Sequence, residues 1–328
     1  MIPAMSDAKK TSISGLGAKR LISYAGTLLM IVSLVFIGRR LMTYGIDFSL
    51  LRSPPVVFGL ILISLIEGMG IIFASLNYRA LIKNVSGVVA LRPLAMVVYT
   101  ASNLYKYIPG GVMYVVGRNR LAVETEGLSH AKVAFATVTE GVLAVLGALI
   151  IAVIFTMGNF LNFVGRIDVF PRAFSIGLAV TAVIAVLGYL YGDRLSFKMK
   201  KFWSTVEILK LRVIAKRLGF GIALMFLYGM TFVATTVLLG QPMTAQLALT
   251  LSGLYLLAWL AGFMTPGAPS GLGIREAVMI MFASGLIVES ILLSAMVIHR
   301  IIIMAGDVAA YGFSMGYAKL DKAVAAEG

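Results

Sequence analysis

The chain has 328 residues, 60% of them hydrophobic and only 13% charged, with a mean hydropathy of +0.97 and a formal net charge of +14. This composition excludes a soluble globular domain of this size and places the chain among polytopic membrane proteins. The basic excess does not imply nucleic acid, because Lys and Arg crowd membrane loops, where they set orientation and meet anionic lipid. Cysteine is absent, which excludes disulfides and thiolate metal sites.

Apolar runs long enough to cross a bilayer are predicted near 21–38, 56–78, 133–157, 173–191, 218–239 and 290–317. The first follows a basic start (Lys9, Lys10, Lys19, Arg20) with no small-residue cleavage site after it, and it reads as an uncleaved anchor. Shorter runs near 94–108 and 245–264 each lead into a helix-breaking stretch. The first break is Pro109-Gly110-Gly111; the second runs through Pro266, Gly267, Pro269, Gly271 and Gly273. In lipid a broken helix survives only where it is buried in protein or lines a cavity, and paired breaks point to a transport site. The longest polar piece, roughly 192–217, is too short for a soluble catalytic domain. Function is therefore expected in or at the bilayer.

Charge sets the expected orientation. The start at Lys9–Arg20 is placed in the cytoplasm, together with the loop carrying Arg194, Lys198, Lys200, Lys201, Lys210, Arg212, Lys216 and Arg217. Loops with Arg79, Lys83 and Arg92, and with Arg118, Arg120 and Lys132, join that side, leaving 39–55, 158–172, 240–245 and 286–289 outside. The arrangement works only if 94–123 enters and returns on the cytoplasmic side and 245–285 does so on the outer side.

The expected fold is all-α and polytopic, with about six full transmembrane helices plus two re-entrant helical hairpins in an inverted-topology repeat. Residues 1–20 would be a cytoplasmic tail. Residues 21–158 would form the first repeat with hairpin 94–123, residues 159–318 the second with hairpin 245–285, and 319–328 a tail. An alternative makes 245–264 a full span, which puts the C-terminus outside and breaks the symmetry. The repeat is legible only around the breaks. Arg118 and Arg275 each lie nine residues beyond the proline, and Gly127-Leu128 and Gly285-Leu286 follow. Residues 21–90 and 173–240 show no match.

Ionisable groups inside spans are expensive and mark pathways or paired sites. Here they are Glu67, Lys106, Glu140, Arg275, Glu276, His299, Arg300 and Asp307, with Arg118 just past the first break. Glu140 follows Gly127 by thirteen residues and His299 follows Gly285 by fourteen, so the polar groups of the two closing spans sit at similar depth. One reading is an anion site, in which guanidinium forks and half-helix N-termini hold a phosphate-bearing group. Glu67 and Glu140 would then gate it, balance charge or carry a proton. The other reading is bracing by ion pairs: Arg118–Glu140, Arg300–Asp307, or Arg275–Glu276 with a partner. Lys106 either joins the site or snorkels to the cytoplasmic interface.

His130 is expected at the surface, and two histidines without an acid cluster argue against a metal centre. No cofactor motif and no catalytic residues are assigned. Gly68-Met69-Gly70 and the small residues of 141–148 are expected to be helix-packing faces. Tyr99, Tyr105, Tyr107 and Tyr114 are expected in an interfacial belt rather than in a headgroup-stacking wall.

Asn103-Leu104 before Pro109-Gly110-Gly111, then Gly117-Arg118, Gly127-Leu128-Ser129 and Glu140, resemble the transmembrane region of the lysylphosphatidylglycerol synthase/flippase family. So does Pro266-Gly267-x3-Gly271-Leu272-Gly273-Ile274-Arg275-Glu276, although Ala268-Pro269-Ser270 stand where that pattern is richer in glycine. The resemblance spans essentially the whole chain. It implies a flippase-like transporter moving a lipid with an anionic or phosphate-bearing headgroup (phospholipid, glycolipid or polyprenyl-linked sugar) between leaflets of a bacterial cytoplasmic membrane. Asn103 joins the expected substrate-binding set on this basis. The aminoacyl-transfer domain of that family is not in the chain, so lipid aminoacylation is not expected. The expected partner is a membrane lipid, with a lipid-modifying enzyme or a second copy as protein partners and no nucleic acid. The competing readings are a membrane-embedded transferase acting on lipid and a non-catalytic subunit of a lipid-modifying system.

Overall fold

A computed structural model describes residues 52–89, 92–107, 113–164, 211–265, 271 and 273–327. The N-terminal tail, the expected spans at 21–38 and 173–191, most of the basic loop, and Pro109, Gly110, Gly111, Pro266, Gly267 and Pro269 lie outside the described residues. The described residues are helices joined by short turns and loops, with an isolated bridge between Ser284 and Ile287. In chain order they form α1 (Pro54–Ser86), α2 (Arg92–Leu104) with a 3-10 turn (Tyr105–Tyr107), α3 (Met113–Glu126), α4 (His130–Val164), α5 (Leu211–Leu238), α6 (Ala245–Met264), α7 (Ile274–Ala283) and α8 (Glu289–Glu327). Five of these, α1, α4, α5, α6 and α8, are long and apolar enough to cross a membrane. The expected arms 94–108 and 245–264 therefore differ in kind: α2 has 13 residues, too few to cross, whereas α6 has 20.

Local chemistry sets the helix ends. Pro54 and Pro55 occupy the first turn of α1, where the missing N–H costs nothing. Gly87, at φ 74°, ends it by donating to the Lys83 carbonyl at 2.9 Å. The Thr244 hydroxyl caps α6 by accepting from the Leu247 N–H at 3.2 Å. On α1 the exposed side chains Phe58, Ile61, Leu65, Met69 and Phe73 recur every three or four residues, an apolar stripe suited to lipid. Ile63, Glu67, Gly70, Ala74 and Tyr78 recur on the opposite face and are buried.

The packing comes in matched pairs. Helix α1 packs on α8 as α4 packs on α5, and α2 packs on α8 as α6 packs on α4. Likewise α1 meets α2 and α4, while α5 meets α6 and α8. The pairs α2–α3 and α6–α7 match, as do α3–α4 and α7–α8, and α1 also touches α5.

Glycine sits at both of the first crossings. A Cβ on Gly306 would come within 2.7 Å of the Ser64 carbonyl oxygen, and one on Gly68 within 2.9 Å of the Gly306 carbonyl oxygen. A Cβ on Gly147 would lie 3.0 Å from the Ile222 nitrogen, and one on Gly221 3.3 Å from the Leu143 carbonyl oxygen. Close backbone approach is how helices adhere where lipid is as apolar as their side chains, so Gly68 and Gly147 have the packing role expected of them.

Three apolar clusters result among the described residues. Tyr78, Leu81, Ile82, Tyr99, Val133 and Ala136 gather α1, α2 and α4. Phe232, Leu251, Tyr255, Met279 and Leu292 gather α5 to α8. The third joins α4 and α6 through Ala148, Ile151, Ala152, Leu256 and Leu260. Between the first two lies a cavity.

Candidate functional site

The cavity has a volume of about 430 Å³ and takes wall residues from all eight helices. Six of the expected site residues line it: Glu67, Asn103, Lys106, Arg118, Glu140 and Arg275. Glu276, His299 and Arg300 are not among its wall residues: Arg300 on α8 meets Glu276 on α7, and His299 lies against α5 and α6.

On the wall built by α1 to α4, the Arg118 guanidinium is 2% exposed and paired with a carboxylate. One terminal nitrogen donates to Glu140 at 2.5 Å and Nε donates to the Ser102 hydroxyl at 3.0 Å. The Tyr99 hydroxyl donates to the other Glu140 oxygen at 2.6 Å. Aromatic faces hold the cation as well: its carbon lies 4.0 Å from the Tyr99 ring centre, 4.9 Å from that of Tyr78 and 5.8 Å from that of Tyr114. Tyr99 is therefore buried beneath an arginine and does not sit in an interfacial belt. Gly117 lets α3 lie close against the 3-10 turn, since a Cβ there would lie 2.0 Å from the Tyr105 ring.

The opposite wall repeats the parts with different partners. A terminal nitrogen of Arg275 donates to the Tyr228 hydroxyl at 3.2 Å, and the Tyr255 hydroxyl donates to that same oxygen at 3.2 Å. The rings of Tyr228 and Tyr255 lie 5.4 Å apart at 46°; those of Tyr78 and Tyr99 lie 5.5 Å apart at 51°. Arg275 is 7% exposed, yet its Nε has no hydrogen-bond partner and its guanidinium no carboxylate partner among the described residues. The adjacent acid, Glu276, is committed elsewhere. It receives Arg300 Nε at 2.5 Å on one oxygen and the Gly273 N–H at 2.8 Å on the other, which fixes the first turn of α7. Arg300 also donates to the Gly271 carbonyl at 3.3 Å. Gly271 (φ 66°) and Gly262 must both be glycine, because a Cβ on Gly271 would lie 2.6 Å from the Gly262 Cα.

Arg300 therefore meets Glu276 rather than Asp307. Asp307, 1% exposed on α8, instead gathers the end of α2 and its turn. It accepts from Asn103 at 2.7 Å and from the Tyr107 hydroxyl at 2.5 Å, and pairs with Lys106 at 2.7 Å. Lys106 is thus tied inward rather than extended to the interface. Glu67 accepts a short hydrogen bond from the Thr231 hydroxyl, linking α1 to α5. His299, 1% exposed, is boxed by Tyr228, Phe232 and Tyr255, with the Thr235 hydroxyl 3.1 Å from Nδ1. His130 is exposed as expected, paired with Asn119.

Sequence reasoning missed Tyr78, Tyr228, Tyr255, Trp259 and Ser102, which carry no charge and read as ordinary apolar or small span residues. It also left Arg217 in a cytoplasmic loop, although Arg217 lines the cavity and donates to Asn77 at 2.6 Å.

Residues 19–310 match the family described as the lysylphosphatidylglycerol synthase TM region, so the chain belongs to that family and is a multi-pass membrane protein. No curated protein matches the chain.

Proposed function

For this member of the lysylphosphatidylglycerol synthase membrane-region family, we propose a lipid transporter that moves a lipid with an anionic or phosphate-bearing headgroup between leaflets. The observation that carries the reading is the cavity deep among apolar helices, with the buried Arg275 guanidinium and the Tyr228 hydroxyl on its wall. A buried cation and aromatic faces around a space of this size suit an oxyanion headgroup, while the tails stay in the bilayer. The matched helix pairs and the paired glycine crossings support an inverted repeat with two re-entrant hairpins. In that arrangement α2–α3 and α6–α7 open the cavity to opposite sides in turn, in a bacterial cytoplasmic membrane with the N-terminus inside. No covalent chemistry is assigned to the chain.

The test is purified protein in liposomes carrying trace headgroup- or chain-labelled lipids, read by quenching of the outer leaflet. An anionic phosphatidylglycerol reporter is expected to exchange leaflets at least about ten-fold faster than a zwitterionic phosphatidylcholine one, the ratio that one charge-assisted contact supports. Equal rates for both, or rates equal to protein-free liposomes, would reject an anion-selective transporter. A new lipid product in the same vesicles would favour the transferase reading.

A further inference from the structure

The two clusters differ in charge balance, and the difference assigns the anion to one of them. Arg118 spends Nε on Ser102 and a terminal nitrogen on Glu140, so its charge is met within its own half. Arg275 holds the counterpart place against the counterpart tyrosines, but α8 presents His299 and Arg300 where α4 presents Glu140. Glu276 is taken up by Arg300 and the Gly273 N–H. What remains at Arg275, among the described residues, is a buried Nε with no partner and one hydrogen bond, to the neutral Tyr228 hydroxyl; Glu276 acts on its charge through space without an ion pair. Tyr228 accepts from both Arg275 and Tyr255, which leaves its own hydrogen to donate. Both residues line the cavity. A buried cation with no carboxylate paired to it is costly, and a ligand oxyanion lowers that cost.

We infer that the anion subsite belongs to one half only: Arg275 and the Tyr228 hydroxyl bind one headgroup oxyanion, and the Arg118–Glu140 pair is an internally satisfied brace on the facing wall. This deepens the transport reading and rests on it. The site is asymmetric although the scaffold around it is paired, so one lipid binds per chain.

Binding of dioctanoyl phosphatidylglycerol to the detergent-purified full chain, with dioctanoyl phosphatidylcholine as control, tests the assignment. One phosphatidylglycerol is expected per chain. Arg275→Gln should weaken binding by about ten-fold or more. His299→Glu, which supplies an acid where the first half has Glu140, should do the same by occupying Arg275. Arg118→Gln combined with Glu140→Gln should stay within about three-fold of wild type, a difference below one charge-assisted contact. Thermal unfolding of each variant identifies any that fail to fold, and Arg275→Lys replaces Arg275→Gln in that event. Equal loss in the folded double variant, or wild-type affinity in Arg275→Gln, overturns the one-sided site while leaving anion transport standing. Failure of wild type to prefer phosphatidylglycerol overturns the transport reading itself. Displacement by millimolar inorganic phosphate would make a soluble anion the cargo and overturn the lipid assignment; none is expected, because the apolar wall adds nothing to a free phosphate.

Discussion

Replacing Glu140 with Gln is expected to destabilise the protein by about 3–5 kcal/mol, because it strands Arg118, 2% exposed, without a counter-charge. The Glu140 side chain retains 17% exposure, which places the cost toward the lower end of that range. Adding Arg118→Gln should recover most of the loss. The buried cation is then gone, and two amides can bond to each other and to Ser102 and Tyr99. The two single changes are therefore strongly non-additive, as expected of groups in direct contact. Thermal unfolding of the three variants in detergent measures this. Additive losses, or a neutral Glu140→Gln, would mean that Glu140 does not hold Arg118.

Arg275→Lys should leave the fold intact yet lower transport of the anionic reporter by about 10- to 100-fold. That range corresponds to one charge-assisted hydrogen bond of about 1.5–3 kcal/mol. Lysine keeps the charge but is a point donor, so it cannot meet Tyr228 and an oxyanion with the two edges of a planar fork. Stability should move little, since the native guanidinium has one hydrogen bond among the described residues, to a hydroxyl. Normal transport by a folded Arg275→Lys protein would mean that the site needs only positive charge.

Much of the architecture was legible because lipid imposes it. A run such as 56–78 must be a helix, and α1, α4, α5 and α8 stand where apolar length placed them. The cavity wall was legible where charges fall in or beside spans: Glu67, Lys106, Arg118, Glu140 and Arg275 all line it. The pairing was not legible. Arg300 and Asp307 share a helix at a spacing that suggests contact, yet the chain brings Glu276 to the one and Lys106 to the other. Such choices depend on helix rotation, which residue spacing does not carry.

The likeness between the two sets of contacts was hidden for a related reason. The separation between residues in like contacts runs from 150 for Tyr78 and Tyr228 to 159 for Gly147 and Gly306, so no constant shift in the sequence brings them together. Tyrosines and glycines in an apolar background are also common, and only their contacts make them a pair. The tyrosines near the first break were assigned to a belt because aromatic residues favour interfaces, but Tyr99 is claimed by the buried arginine beneath which it lies.

The transport account stands on the two halves facing opposite ways, and the chain allows a direct test because it contains no cysteine. Ser129, before α4, and Val288, before α8, occupy corresponding places and are both exposed. Each can be changed singly to Cys and treated with a membrane-impermeant maleimide in intact cells and in inside-out vesicles. Ser129→Cys should react only from the cytoplasmic face and Val288→Cys only from the outer face. Reaction of both from the same face would contradict the inverted arrangement, and alternating access through these hairpins with it.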